Sequence, residues 1–172
     1  MVAESGMVTL ADRVAGALWG MLIADALSMP VHWFYGGAQE IRKVFGGNLI
    51  TGYRTPLQGR GEYPSSIMAV SNTGGAGRGN GESAIIGTVI NHGKLPLWQR
   101  GSGFHYHATL QAGENTLEGE MARLMMRSLT TGDFDLDRVQ HEYVDFMTTP
   151  GSHNDACEED RLEHTKSVLS FK

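Results

Sequence analysis

At 172 residues the chain is long enough for one domain with a sizeable core and too short for two full ones. Hydrophobic residues at 41% and charged residues at 19% describe a soluble globular protein, and a net charge of −5 argues against a nucleic-acid surface built on phosphate contacts. The one cysteine, Cys157, cannot close an internal disulfide, which fits a reducing, cytoplasmic compartment.

The first element is the apolar run from Val14 to Ala24. Thr9, with Asp12 three residues later, has the spacing of a helix cap, and Pro30 marks the far end. The run is shorter than the about 20 apolar residues that a membrane span needs. Although Ala24-Asp25-Ala26 looks like a cleavage site, Glu4, Asp12 and the single base Arg13 make a poor signal-peptide leader. A buried helix, with no membrane involved, accounts for the run best. Short helices are expected over Gln39 to Phe45 and over Glu82 to Asn91, the second closed by Gly93. Between them a short strand at Ile67 to Val70 leads into the glycine-rich segment Ser71 to Gly81. That segment has neither a Gly-Lys-Ser/Thr ending nor a G-x-G-x-x-G spacing, so it reads first as a surface loop. As a mobile rim, its backbone N–H groups at Gly75, Gly77 and Gly79, beside Arg78, could contact an anionic ligand such as a pyrophosphate.

His105 and His107, separated by one residue on an extended segment, face the same way and could both reach one metal. Nothing nearby completes a zinc set, so hydrogen-bonded His is the plainer reading, with substrate binding as the functional one. Gly113 to Met121 gathers polar and acidic residues where a loop becomes a helix that runs through Leu129 and stops at Gly132. Carboxylates there offset the macrodipole, Asn115 or Thr116 can cap, and Asn115 stands in capping-box register with Glu118. The same oxygens, Thr116 and Glu118 with Glu114 or Glu120, also suit a hard cation such as magnesium, and both readings stay open on residue types alone. Asp135 caps a helix that runs to Met147 ahead of Pro150, and His153-Asn154-Asp155 reads as the entry to a terminal helix ending near Phe171. No strand pattern lasts long enough to compete, and the fold class is all-α.

Arg13-Val14-Ala15-Gly16-Ala17-Leu18-Trp19-Gly20, running into Ala24-Asp25-Ala26-Leu27-Ser28-Met29-Pro30-Val31-His32, resembles the opening helix of the ADP-ribosylglycohydrolase family. Thr116 to Leu129, followed by Asp133-Phe134-Asp135, is similar to the family's Thr-Asp-Asp-Thr helix and acidic connector. His105-Tyr106-His107 with Ala112 to Leu117 is most similar to the branch that includes the J-crystallins. The resemblance implies a helical bundle corresponding to the N-terminal half of the family fold, with residues 1–172 as a single, truncated domain. It further implies a cleft in which two magnesium ions orient ADP-ribose and a water, so that an N- or O-glycosidic bond of an ADP-ribosylated protein or small molecule is cleaved. By position, Asp25 falls on the family's Gly-Asp aspartate, Thr116 on the first motif threonine and Glu118 on the second motif aspartate, making these the metal candidates. His32 and Glu118 are the catalytic candidates.

The departures matter as much as the matches. Leu117 stands where the first motif aspartate is expected, Gly119 replaces the last threonine, and His32 replaces an acidic residue, which allows a base but not an anionic ligand. The family's C-terminal Asp-x-Asp cluster has no counterpart here. A second class therefore stays open: a non-catalytic relative, serving as a crystallin-like structural protein or an ADP-ribose-binding module. A bundle cut in half should expose apolar helix faces such as Val14 to Met21, which predicts a homo-oligomer.

Overall fold

Thr9 sets where the first helix begins. Its hydroxyl accepts from Asp12 N at 3.1 Å while the Asp12 carboxylate accepts from Thr9 N at 2.9 Å, the reciprocal cap that the spacing predicts. The computed structural model describes residues 7–32, 34–47, 50–59, 87–98, 104–105 and 107–155. Among them four α-helices carry the architecture and no strand forms, so the protein is all-α.

Helix α1 (Leu10–Ser28) passes into a 3₁₀ turn, Met29–Val31, whose Pro30 ends it as expected. The expectation of a buried helix is corrected: Ala26 is its one buried residue, and Trp19 is 67% exposed. A run apolar on all sides has no preferred face, so periodicity could not say how little of it would be covered. From Leu10 to Val31 the 22 residues are also long and apolar enough to cross a membrane by length and composition. Within the fold, the polar contacts of Asp25 fix its C-terminal half against the protein.

Helix α2 (Gly37–Val44) begins two residues ahead of the expected Gln39, because Glu40 folds back so that its carboxylate accepts from Gly36 N at 2.8 Å. The helix expected over Glu82 to Asn91 does not extend through 87–91. Gly87 and Asn91 both adopt left-handed backbone, with φ of 87° and 47°, and Gly87 N bonds Ile90 O across a turn. A Cβ at Gly87 would stand 2.7 Å from that of Leu95, so the turn also depends on a close approach. The segment 82–86, the strand expected at 67–70, the glycine-rich loop and the terminal helix beyond Asp155 lie outside the described residues.

Helices α3 (Leu117–Thr130) and α4 (Leu136–Thr148) form a packed pair, and α3 also meets α1. Asp135 caps α4 as expected, accepting from Arg138 N at 3.1 Å. The Arg138 guanidinium then reaches back to Ser128 O at 3.2 Å and Asp133 O at 2.7 Å, tying the start of α4 to the end of α3. Between them Ile90, Leu117 and Met147 form a buried cluster flanked by Met121, Tyr143 and Phe146. Each such apolar side chain contributes about 1.5–3 kcal/mol on burial, so this cluster fixes the α3 N-terminus in place.

Candidate functional site

Two polar networks meet at the first turn of α3. In the first, the Asp25 carboxylate of α1 receives three hydrogen bonds from the segment that opens the helix. Its Oδ2 accepts from Thr116 N and Asn115 Nδ2, both at 2.8 Å, and its Oδ1 accepts from the Thr116 hydroxyl at 2.6 Å. Asn115 Nδ2 also donates to Leu22 O at 2.7 Å, and Thr116 Oγ1 caps α3 by accepting from Gly119 N. Thr116 is therefore the cap, and Asn115 belongs to the contact with α1 rather than to a box with Glu118. Gly119 allows the approach, since a Cβ there would lie 2.6 Å from Asp25 Oδ2.

The second network is a row of rings that runs from the half-buried His32 to the buried His107 and His105. His32 Nδ1 lies 2.7 Å from His107 Nε2, and His107 Nδ1 lies 2.9 Å and 3.0 Å from the two oxygens of Asp155. Asp155 Oδ2 also accepts from Leu117 N at 2.8 Å, at the first residue of α3. His105 closes the row from the side: its Nε2 donates to His32 O at 2.9 Å, and its Nδ1 accepts from His107 N at 3.2 Å. The rings of His32 and His107 stack, with centroids 5.0 Å apart.

Burial dominates the electrostatics. His105 is held neutral, its pKa lowered to about 3, chiefly by desolvation and only partly offset by the carbonyl of His32 that it bonds. The His32 pKa is also lowered, first by burial and then by His107, while Glu118, Asp155 and Asp25 pull it back up. Lys94 donates to the carbonyls of His153 at 3.0 Å and Asp155 at 2.7 Å, and desolvation lowers its pKa too. That lysine pins the 153–155 segment so that Asp155 can face both His107 and α3.

The structure thus brings His32, His107, Asp25, Thr116 and Glu118 into one region, with Glu118 exposed on the first turn of α3. His105 and His107, expected at a substrate surface, are 1% and 0% exposed and stand behind His32. Gly75, Gly77, Arg78 and Gly79 lie outside the described residues. Asp155, Asn115 and Lys94 are the participants that sequence reasoning missed. The pattern His153-Asn154-Asp155 reads first as a helix entry and only second as a ligand, and one acidic residue 48 positions from its His partner leaves no local spacing to read.

Beside the Asp25 network opens a polar cleft of about 320 Å³, lined by Glu114, Asn115, Glu120, Arg123, Ser152 and His153. Asn115 belongs to both the cleft and the network. Arg123 is paired with Glu120 at 3.0 Å, and Glu114 accepts from Asn154 Nδ2 at 2.6 Å. The donor set for a divalent cation is incomplete among the described residues. No group of three His, Cys, Asp or Glu side chains is placed to hold a metal, and both Asp25 oxygens already accept protein hydrogen bonds.

Comparison with known proteins identifies a family and nothing finer. No curated protein and no solved structure gives a significant match. The family model for ADP-ribosylglycohydrolase matches residues 7–171, from ahead of Thr9 to past Asp155. The chain belongs to the ADP-ribosylglycohydrolase family.

Proposed function

We propose that this member of a hydrolase family cleaves an N- or O-glycosidic bond of an ADP-ribosyl group carried by a protein or a small molecule. The observation that carries this reading is that the His32–His107–Asp155 row and the Asp25–Thr116 contact meet at the first turn of α3, within a region the family model covers. An imidazole whose pKa is lowered by burial and that feels the carboxylates of Glu118, Asp155 and Asp25 is suited to take a proton from water, and general-base catalysis of this kind contributes about 10²–10⁴-fold. The adjoining cleft offers Arg123 to an anionic diphosphate, and Asn115 and Ser152 to sugar hydroxyls.

Magnesium is the cofactor that the family resemblance implies, with Asp25, Thr116 and Glu118 as its nearest donors here. The described residues do not fit it: Leu117 supplies no oxygen between Thr116 and Glu118, and the Asp25 carboxylate is occupied by Thr116 and Asn115. No step of the reading is therefore routed through the metal. The same two features favour a second reading, a non-catalytic relative that binds ADP-ribose or serves a structural role.

The test is release of ADP-ribose from an ADP-ribosylated protein by the full chain, with magnesium and with a chelator. Release above buffer that falls at least 100-fold in His32→Gln is expected. No release in either condition defeats the hydrolase reading, and heat on calorimetric titration with ADP-ribose would then favour the binding module.

A further inference from the structure

We propose that the exposed half of α1 is a self-association surface, through which two copies of the chain pair helix to helix about a two-fold axis. The inference stands apart from the hydrolase reading, because the residues that carry it belong neither to the polar networks nor to the cleft.

Helix α1 divides in two. Its C-terminal part is held by the protein: Leu22 O and the Asp25 carboxylate accept from Asn115, and Ala26 is 3% exposed. Residues 10–21 are exposed without exception, yet the helix there is intact, its first turn closed by the reciprocal Thr9–Asp12 cap. No ionisable side chain stands between Arg13 and Asp25, and a helix apolar all round belongs against another apolar surface. A bilayer does not supply that surface. Residues 10–21 make about 18 Å of helix against the about 30 Å of a hydrocarbon core, and the residues that would complete a span are bound to the protein. Nor is there a basic face to lie on an anionic membrane, since Arg13 is the one base in the helix.

The relief of the helix fits its own copy. At 3.6 residues per turn Gly16 and Gly20 stand one turn apart on one face, and a Cβ at either meets nothing within 4 Å, so the groove they form is open. Val14 and Met21 rise along one side of it and Trp19 and Ile23 along the other, each between 42% and 67% exposed. One surface therefore carries both groove and ridges, which is what an isologous contact requires. A copy related by a two-fold axis lays a ridge into the groove and receives one in return, and the glycines let the backbones approach. With Leu10, these side chains present roughly 500 Å² of apolar surface per copy, so pairing hides roughly 1,000 Å² in all, the lower end of what a specific interface needs. The expected product is a reversible dimer of micromolar Kd, and well below that Kd both glycines are simply exposed helix positions.

The test is analytical ultracentrifugation of the full chain without detergent over about 1–100 µM, with circular dichroism to show that each variant is folded. The wild-type chain should pass from monomer to dimer across that range. Gly20→Leu should weaken the dimer by about 10-fold or more, because its side chain fills the groove while meeting nothing in the monomer. This variant also separates a grooved pair from general stickiness, since it adds apolar surface to an exposed helix and would raise non-specific association. Trp19→Glu removes a ridge and should weaken the dimer as well. A wild-type chain that stays monomeric overturns the proposal, including one that instead sediments with neutral phosphatidylcholine vesicles, which would assign the face to lipid. A dimer that either folded variant leaves unchanged or tightens also overturns it.

Discussion

Replacing Gly119 by Ala should destabilise the protein, although the same change in an ordinary helix stabilises it. A Cβ at Gly119 would lie 2.6 Å from Asp25 Oδ2 and 2.9 Å from Asn115 Cβ, where ordinary contact begins near 3.4 Å. The carboxylate must therefore retreat by several tenths of an ångström from Thr116 N and Asn115 Nδ2, each now 2.8 Å away. Hydrogen bonds to a charged group are worth about 1.5–3 kcal/mol each, against a gain of at most about 1 kcal/mol for Ala over Gly in a helix. The net loss is about 2–4 kcal/mol, which for a chain of this length lowers the Tm by roughly 4–12 °C. Gly16 and Gly20 in α1 provide the control, because a Cβ at either meets nothing within 4 Å. Ala at those positions should raise stability by up to about 1 kcal/mol each. Calorimetric melts or urea titrations of the three single variants read the contrast directly. A Gly119→Ala protein as stable as wild type would refute the claim that Asp25 is clamped against the first turn of α3.

The two threonine caps should differ in weight. Thr9→Ala removes an exposed cap and should cost about 1 kcal/mol, whereas Thr116→Ala also deletes the hydroxyl bonded to Asp25 Oδ1 and should cost clearly more; equal urea midpoints for the two variants would contradict this. Acid should destabilise the fold through His105. Its folded pKa is lowered to about 3 from an ordinary 6.5, so between those values the unfolded chain binds more protons and stability falls as the pH drops. At about 1.4 kcal/mol per decade of affinity, the loss approaches about 4 kcal/mol at the bottom of that window, and none arises above pH 6.5. His32 and His153, lowered chiefly by burial, act in the same direction. Urea titrations across pH 4–8 should show a shallower decline for His105→Gln, and an unchanged slope would remove His105 as the cause.

Helix positions were legible wherever the signal is local. Thr9 with Asp12 and Asp135 with Arg138 cap as their spacing predicts, because a cap is decided within one turn. Pro30 ends α1, and the stretch before Gly132 forms α3, for the same reason. Burial was less legible. An apolar run cannot report which face a neighbour covers, so α1 was expected buried and stands largely exposed. Gly87 at φ 87° and its turn to Ile90 depart from the helix expected through Asn91, and the close approach of Gly87 to Leu95 is a long-range contact that local propensity does not report.

The sequence by itself determined the all-α class, the caps, and the resemblance that the family model bears out. It also brought Asp25, Thr116, His32 and His107 forward as candidates, because chemistry-bearing residue types are visible in one dimension. Only the tertiary structure decided that Asp25 serves Asn115 and Thr116 across 90 and 91 residues, and that Asp155 faces His107 and Leu117. Such pairings arise from how α1, α3 and the loops around Lys94 and His105 come together, and hydrogen bonds between residues so far apart in the chain leave no periodicity or spacing to read.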